Sequence, residues 1–397
     1  MNSTKIQFII FIICLNINSL ICQENSNLQI EYIECKNNNI LEVIQKYKDE
    51  VKTISKSNGY IEIREKEKDI SHFRERYNLN HPNYNSDSIE LNYNYPKANK
   101  IKFVNFESSR ISYLNLTSIR LIEFPKSIFN FKKIKSLEMT NHNFKILPEG
   151  FNNLKKLKTL RLGHTPIKKL PHDFSELNNL ETLSINYKTI ENKDLLFKTL
   201  SNLPKLKNLE LWSVSFETKL PKSFLKLKKL KKLRLVGSDF DFSTIYEYHN
   251  LKELDLTLST FKSFDSSIQN LKKLNKISIL GSFYIQNLPE ELSELKKLKH
   301  LEIDFGLGSV GYKYKIDTQH TYLIISSLPR LKKLYLGDYF KYIYPFWLNK
   351  RLDYLYYDGH FKTPKEENLK LIKEKITIEL RSKCEKLSEI NNKIICK

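Results

Sequence analysis

A single apolar pattern, LxxLxL, recurs along the chain and limits its fold more than any other feature. It occurs as ISYLNL from Ile111, LKTLRL from Leu157, LKNLEL from Leu206 and LKHLEI from Leu298. Successive copies begin at Ile111, Ile134, Leu157, Leu180, Leu206, Leu230, Leu251, Leu274, Leu298, Leu331 and Leu352. The commonest interval is 23 residues, and intervals of this size indicate a solenoid in which one supersecondary unit stacks on the next.

Each copy carries two apolar groups that must face a common core. The first, fourth and sixth positions of the pattern are apolar, because a short strand turns those side chains towards the neighbouring turns. A second group follows, as in FKILPEGFNNL from Phe144 and IKKLPHDFSEL from Ile167, where Leu-Pro ends the extended segment. One turn alone buries too little apolar surface, so the turns are stable only when stacked, and the two ends need caps.

These repeats, with their LPxxF segments, resemble the leucine-rich repeat family over residues 111–360, in about eleven repeats. The resemblance implies an α/β horseshoe solenoid with a parallel sheet on the concave face and loops, 3-10 turns and short helices on the convex face. The two long turns each contain helical spacing, in DLLFKTLSNLPKL and in HTYLIISSLPRL.

The ninth position of each repeat departs from the family, whose members usually carry Asn or Cys there to satisfy backbone groups. Here it is occupied by Ile119, His142, Thr165, Lys188, Val214, Ser238, Ser259, Ser282, Gly306, Tyr339 and His360. Ser and Thr hydroxyls make similar local bonds, but the other residues require a different solution. We therefore expect an irregular solenoid whose register drifts.

The first 22 residues have the layout of a secretory signal peptide, with Lys5 followed by the apolar run IQFIIFIICL. The run is shorter than the roughly 20 residues of a membrane-spanning helix, and no later segment is a candidate. We expect a secreted or cell-surface protein. Lipid attachment at Cys22 is the alternative, although Ile21 stands where such sites have a small residue.

Residues 23–110 and 361–397 lie outside the repeats and are predicted to cap them. Helical spacing begins at Asn38, and a hairpin is expected where IELNYNY and IKFVNF flank PKANK. Thr363 and Pro364 favour the start of a charged helix at the other end. Cys384 and Cys396, both in this tail, are a possible disulfide in an exported protein, with unpaired buried thiols as the alternative.

Positive charge is concentrated in the repeats, within a net charge of +21. NLKKLKTL, KLKKLKKL, NLKKLNKI and ELKKLKHL place lysines at the same points of successive turns. Stacking predicts a lysine stripe along one lateral edge, suited to acidic proteins, anionic polysaccharide or an anionic surface. The alternative is that these are solvated positions filled with Lys by sequence composition.

No pattern indicates catalysis or cofactor binding. Gly306, Gly308 and Gly311 satisfy GxGxxG, but a helix does not follow, as a dinucleotide site requires. The histidines lack metal-site spacing, and no nucleophile elbow occurs. We expect a protein that is not an enzyme, with no cofactor, no metal and no specific nucleic-acid partner.

The resemblance to leucine-rich repeat proteins implies that a partner binds at the concave face. The fifth position of successive repeats there carries charges of alternating sign and aromatic residues, and exposed aromatics beside Arg are enriched in binding hot spots. Arg161, Glu210, Arg234 and Asp255 are expected to form ion-pair ladders or a charged surface for a partner. The predicted binding residues are Arg161, Tyr187, Glu210, Trp212, Arg234, Asp255, Glu302, Tyr335 and Tyr356. The partner is predicted to be a protein, and an anionic polymer bound at the lysine edge is the alternative. A surface that is merely soluble explains any single one of these residues equally well.

Overall fold

The computed structural model describes residues 30–36, 39–45, 53–57, 60–64, 88–90, 102–104, 111–117, 120–214, 218–237, 240–258, 263–281, 288–304, 318–337, 352–357, 377–380 and 394–396. Within these ranges the chain is a horseshoe solenoid with a long, almost entirely parallel sheet on its concave face. The strands are β1 Ile30–Lys36, β2 Asn39–Gln45, β3 Thr53–Ser57, β4 Tyr60–Arg64, β5 Ser88–Glu90, β6 Lys102–Val104, β7 Tyr113–Asn115, β8 Ser136–Glu138, β9 Thr159–Leu162, β10 Thr182–Asn186, β11 Asn208–Val214, β12 Thr218–Lys219, β13 Lys232–Gly237, β14 Phe240–Asp241, β15 Glu253–Asp255, β16 Lys276–Leu280, β17 His300–Asp304, β18 Lys333–Leu336, β19 Tyr354–Tyr357, β20 Thr377–Leu380 and β21 Ile394–Cys396.

Sixteen of these strands form the main sheet, in the spatial order β21-β20-β19-β18-β17-β16-β15-β13-β11-β10-β9-β8-β7-β5-β4-β3. All neighbours in it are parallel except β3 and β4, which are antiparallel. Two small sheets complete the fold, β2-β1-β6 and β12-β14. Each strand from β7 to β19 in the main sheet begins one turn of the solenoid, as the repeated pattern predicts.

The register of the repeat strands is constant, so the prediction of register drift is wrong. Leucine or isoleucine at the fourth position pairs with the same position in the next turn, from Leu114 and Leu137 through to Leu334 and Leu355. A shift occurs between Trp212 and Val214, at the end of β11. These apolar side chains are at most 1% exposed, and moving one strand by a residue would turn them out of the core. The fourth position therefore sets the register without help from the ninth.

The convex side is built from short helical turns, as predicted. The 3-10 turns are η1 Lys126–Asn130, η2 Phe151–Asn153, η3 His172–Glu176, η4 Lys222–Lys226, η5 Ser266–Asn270 and η6 Glu290–Glu294. The α-helices are α1 Lys193–Ser201, α2 Ser243–Tyr246 and α3 Thr318–Ser327, of which α1 and α3 confirm the helices predicted in the two long turns.

Phenylalanines of the 3-10 turns and of α1 form the outer part of the core. Phe151 contacts Phe174 at a ring-centroid distance of 5.5 Å, and Phe197 contacts Phe224 at 5.5 Å. All four rings are fully buried. These residues are the second apolar group of their repeats, and they close the core on the side away from the sheet. Each large aromatic ring buries enough apolar area to contribute several kcal/mol to the free energy of unfolding.

The eighth position of the repeat has a left-handed backbone in six turns. The residues concerned are Asn141, His164, Ser213, Gly237, Leu258 and Gly281. A positive φ is strained for residues other than glycine and interrupts an extended strand. The recurring kink therefore bends the chain near the end of the strand in these turns and starts it towards the convex side.

Two ninth-position side chains bond to the backbone of neighbouring turns, which replaces the family asparagine. Nδ1 of His142 accepts a hydrogen bond from the amide of Leu121 at 3.1 Å. The Thr165 hydroxyl accepts from the amide of His142 at 3.2 Å and donates to the carbonyl of Met139 at 3.0 Å. Lys188, in contrast, is exposed, and the next residue acts instead, since Thr189 Oγ1 donates to the Ile167 carbonyl at 2.8 Å.

The two ends differ from the predicted caps. The helix predicted from Asn38 is wrong over Asn39–Gln45, where β2 pairs with β1. The predicted hairpin is also wrong, because β5 lies in the main sheet whereas β6 pairs with β1. The helix predicted from Thr363 lies outside the described residues, and further along the tail β20 and β21 extend the main sheet. Cys384 also lies outside them, so its pairing with Cys396 stays a prediction.

Candidate partner-binding surfaces

A ladder of charged side chains crosses the centre of the concave sheet, as the alternating signs predict. We use the name charge ladder for Glu138, Arg161, Glu210, Arg234 and Asp255. The Arg161 Nη1 atom lies 2.8 Å from Glu210 Oε2, and its Nε lies 3.5 Å from Glu138 Oε1. Arg234 continues the ladder, with Nη1 at 3.2 Å from Glu210 Oε1 and Nε at 3.6 Å from Asp255 Oδ2.

Most of the charge ladder is shielded from solvent. The side chains of Glu210, Arg234 and Asp255 are 8%, 12% and 13% exposed, whereas that of Arg161 is 38% exposed. Arg161 reaches Glu210 across the intervening strand, where the fifth position is the small, buried Ser184. The ladder is therefore an internal structural element with one exposed guanidinium at its edge.

Trp212 lies on the same face as the charge ladder, because it follows Glu210 by two residues in β11, and it is held by four neighbours. Its indole Nε1 donates a hydrogen bond to Ser184 Oγ at 2.9 Å. The ring is 4.3 Å from the His164 ring, and the Arg234 guanidinium lies 5.8 Å from it. Gly163 provides the space beneath the indole, because a Cβ atom there would lie 2.8 Å from Nε1. The half-buried indole is consequently fixed in one orientation.

A second aromatic group lies towards the carboxyl-terminal end of the sheet. The Tyr335 and Tyr356 rings stack in parallel, with centroids 4.5 Å apart and an interplanar angle of 6°. Glu302 precedes Tyr335 in the same row and pairs with Lys276 and Ser278. Both tyrosines are half-buried, so their outer edges form part of the concave surface.

Tyr187 does not belong to this surface, and its inclusion among the binding residues is wrong. Its side chain is 1% exposed and packs against Phe197 in the core. Burial raises the pKa of its phenol well above the usual range. The turn that contains Tyr187 carries α1 in place of an LPxxF segment, so the tyrosine fills core volume there. Three residues that support Trp212, namely Gly163, His164 and Ser184, were absent from the predicted set.

The lateral edge of the solenoid carries a stacked array of basic residues. We define the lysine edge as the residues immediately before and after the buried first residue of the nine repeats from Ile134 to Leu331. The residues before it are Lys133, Lys156, Asn179, Lys205, Lys229, Asn250, Lys273, Lys297 and Arg330, and those after it are Lys135, Lys158, Glu181, Lys207, Lys231, Lys252, Asn275, Lys299 and Lys332. Every basic residue of the lysine edge is exposed except Lys231, which is half-buried.

Neither a metal site nor a membrane-spanning helix is found in the described part of the chain. No group of histidine, cysteine and acidic side chains there is arranged to hold a metal ion. The described helices include none long and apolar enough to cross a membrane. The GxGxxG segment lies outside the described residues.

Comparison with known proteins gives a family match for part of the chain. Residues 99–264 match the family described as leucine-rich repeat region. No curated protein is significantly similar in sequence.

Among solved structures, a leucine-rich repeat protein of Leptospira interrogans is similar at 20% identity and a TM-score of 0.37, covering 79% of this chain and 90% of that one. An internalin of Listeria monocytogenes is similar at 17% identity and a TM-score of 0.39, covering 66% and 84%. A plant peptide hormone receptor, solved in complex with its peptide, is similar at 16% identity and a TM-score of 0.36, covering 78% and 54%.

Proposed function

We propose that this leucine-rich repeat protein, whose matched region spans residues 99–264, is exported and binds another protein through its concave sheet. Chains of this fold commonly mediate protein binding, which gives the general class. The observation that carries the proposal is that Trp212 and Arg161 flank Ser184 on one open face, since Ser184 accepts the indole hydrogen bond and is the register partner of Arg161. We call this aromatic ring and exposed guanidinium the patch. The proposal of export depends on the amino-terminal sequence and is separate from this patch.

The patch has the composition of a binding hot spot, because tryptophan and arginine are enriched among residues that dominate interface energies. It is also ordered before any partner arrives. The Ser184 hydrogen bond and the His164 contact fix the indole, while Glu210 and Glu138 hold the Arg161 side chain. Groups that are already ordered lose less conformational entropy on binding, so more of the contact energy appears as affinity.

The charge ladder holds Arg161 of the patch in place, and the ladder's other charges pair with each other rather than with charges of the partner. Its two arginines alternate with three carboxylates, and the central members are shielded by their neighbours. The partner therefore meets a nearly neutral sheet with one cation at its margin. A complementary surface would present an apolar or aromatic group to the indole and a carboxylate or carbonyl to Arg161.

Tryptophan fluorescence tests this proposal directly, because Trp212 and Trp347 are the two tryptophans in the chain. In a Trp347→Phe variant, the Trp212 indole is the sole tryptophan reporter. Proteins from the culture medium of the native host are first captured on the immobilised chain and identified. Titrating a captured protein should shift Trp212 emission to the blue and protect the indole from acrylamide quenching.

Matched variants decide whether the concave face is the site. Trp212→Ala should weaken binding by about 2 kcal/mol or more, roughly thirtyfold in Kd, and Arg161→Ala should act in the same direction. Leu323→Ala, which removes an exposed apolar side chain from α3 on the convex side, is the control and should leave Kd unchanged. Equal binding by Trp212→Ala and the parent chain would overturn the concave-face proposal. Amino-terminal sequencing of secreted material tests export, and an intact Met1 on cytosolic protein would refute it.

A further inference from the structure

We propose that the lysine edge binds a linear anionic polysaccharide, with the polymer lying along the stack of turns. This second surface is separate from the Trp212 patch, and the proposal does not rest on the function proposed above. Fourteen of the eighteen residues of the lysine edge are basic and one, Glu181, is acidic. The remaining three are Asn179, Asn250 and Asn275.

The backbone keeps the lysine edge in line over nine turns. In the row after the buried residue, each amide donates to the carbonyl of the same position one turn earlier, as in Lys158 to Lys135 at 2.7 Å and Lys231 to Lys207 at 2.7 Å. This series continues without a gap from Lys135 to Lys332. Parallel strands are about 4.8 Å apart, so the rows extend for roughly 40 Å.

Side-chain contacts show that neighbouring turns touch along both rows. Lys205 Nζ donates to Asn179 Oδ1 at 2.6 Å, and Lys273 Nζ donates to Asn250 Oδ1 at 2.7 Å. In the other row, Lys207 Nζ lies 3.3 Å from Glu181 Oε2. The two rows flank one buried residue, so they lie two positions apart in nearly extended chain and face the same side. The lysine edge is therefore one continuous surface.

Repeated like charge at this spacing is unfavourable in the free protein, since neighbouring cations repel each other. Solubility alone does not require it, because interspersed charges of both signs keep a protein soluble. The concave face of the same repeats shows that alternation fits this fold, as the charge ladder demonstrates. A polyanion would neutralise the array and release its own counterions, which favours binding.

The residue types favour a polysaccharide over other polyanions. Single-stranded nucleic acid is bound by basic grooves with aromatic side chains on which the bases stack. None of the eighteen positions of the lysine edge holds Phe, Tyr, Trp or His. A membrane-bound surface pairs its cations with apolar anchors, and these positions are all polar. Lysine is a compact point charge without the planar fork of arginine, which suits carboxylates or sulfates spaced along a sugar chain.

The test measures binding of the full mature chain to heparin fragments by calorimetry at several salt concentrations. The edge variant carries Lys156, Lys229, Lys273 and Lys297 changed to Gln, and the matched control carries Lys145, Lys169, Lys188 and Lys198 changed to Gln. All eight lysines are exposed, and each variant loses the same total charge. Thermal unfolding checks that both variants remain folded.

The edge variant should lose at least tenfold in heparin affinity at low salt. The slope of log K against log salt should become shallower by roughly two to three, as expected if about 0.7 ions are released per neutralised charge. The control variant should keep most of the affinity and the slope. Equal losses in the two variants would show attraction by net charge alone and would overturn the assignment to the lysine edge.

Three further probes separate the possible polyanions. Neutral dextran should not bind. Oligothymidylate and vesicles containing phosphatidylserine should bind more weakly than heparin at the same ionic strength, and their binding should depend less on the four edge lysines. Preferential binding of either probe, or no heparin binding by the parent chain at low salt, would overturn the polysaccharide proposal.

Discussion

The charge ladder and the lysine edge belong to the same stacked turns and share their spacing, yet their charges are arranged in opposite ways. Along the ladder, carboxylates and guanidinium groups alternate and contact each other, as between Glu210 and Arg234. Along the edge, one lysine follows another, as Lys205 and Lys229 illustrate. The fold thus determines how far apart the charges lie, and the sequence determines their sign. Charges that alternate pair with each other, whereas charges of one sign repel their neighbours except where a carboxylate intervenes, as Glu181 does between Lys158 and Lys207.

The largest difference expected at neutral pH concerns the centre of the ladder. Glu210→Gln removes the carboxylate that contacts both Arg161 and Arg234 and leaves two guanidinium groups poorly paired. Breaking a buried ion pair in this way costs about 3 kcal/mol of unfolding free energy. Urea unfolding measures the loss. Lys229→Gln at the lysine edge is the comparison and should change the value by less than about 0.5 kcal/mol; a similar loss in both would remove the distinction between the surfaces.

Acid tests the interior of the turns, because a buried histidine there resists protonation. Burial lowers the pKa of His142 from 6.5 to about 3. The unfolded chain therefore takes up the proton first, and the stability from this residue is complete above pH 6.5 and is lost as pH falls towards 3. The free energy of unfolding should decline by up to about 1.4 kcal/mol per pH unit from this single proton.

Substitution isolates this contribution from the carboxylates, which also titrate in acid. His142→Asn should flatten the decline relative to the parent chain, while His249→Asn at an exposed position should leave it unchanged. The measurement is urea unfolding at a series of pH values. Parallel curves for His142→Asn and the parent would contradict the assignment.

The smallest effect is expected at the lysine edge itself. Changing Lys156, Lys229, Lys273 and Lys297 to Gln relieves repulsion and should raise the unfolding free energy by up to about 1 kcal/mol in total at low ionic strength. The gain should vanish near 0.5 M salt, where screening is strong and the Debye length is roughly 4 Å. Thermal unfolding across a salt series provides the measurement. A gain that persists at high salt would have a cause other than charge.

Much of the repeat region was predictable because its patterns depend on neighbouring residues. The fourth-position leucines specify the register, the LPxxF segments specify the convex turns, and the alternating signs predicted the contacts of Arg161 and Arg234. What the sequence did not reveal depends on distant partners. The apolar residues of Asn39–Gln45 suit a helix as well as a strand, and pairing with β1 decides between them.

The partner-binding site was predicted less completely than the fold, for a related reason. Trp212 was identified by residue type, but its support by Gly163, His164 and Ser184 comes from two other turns. Tyr187 was assigned by its distance along the strand, whereas the path of the chain into α1 turns its ring inwards. Side-chain direction at the end of a strand depends on the connection that follows, which the repeat pattern does not specify.

The left-handed kink at the eighth position has a consequence for how such a chain can change over generations. Because the chain bends away at the same repeat position, as at Asn141 and Leu258, inserted or deleted residues are absorbed between the kink and the next strand. The turn from Leu180, whose eighth residue Tyr187 lacks the kink, also takes up its extra length on the convex side, since it accommodates α1 and remains in register with its neighbours. Length variation is thus confined to the convex side, and whole repeats can be duplicated or lost while the spacing of the charges on the other surfaces is inherited unchanged.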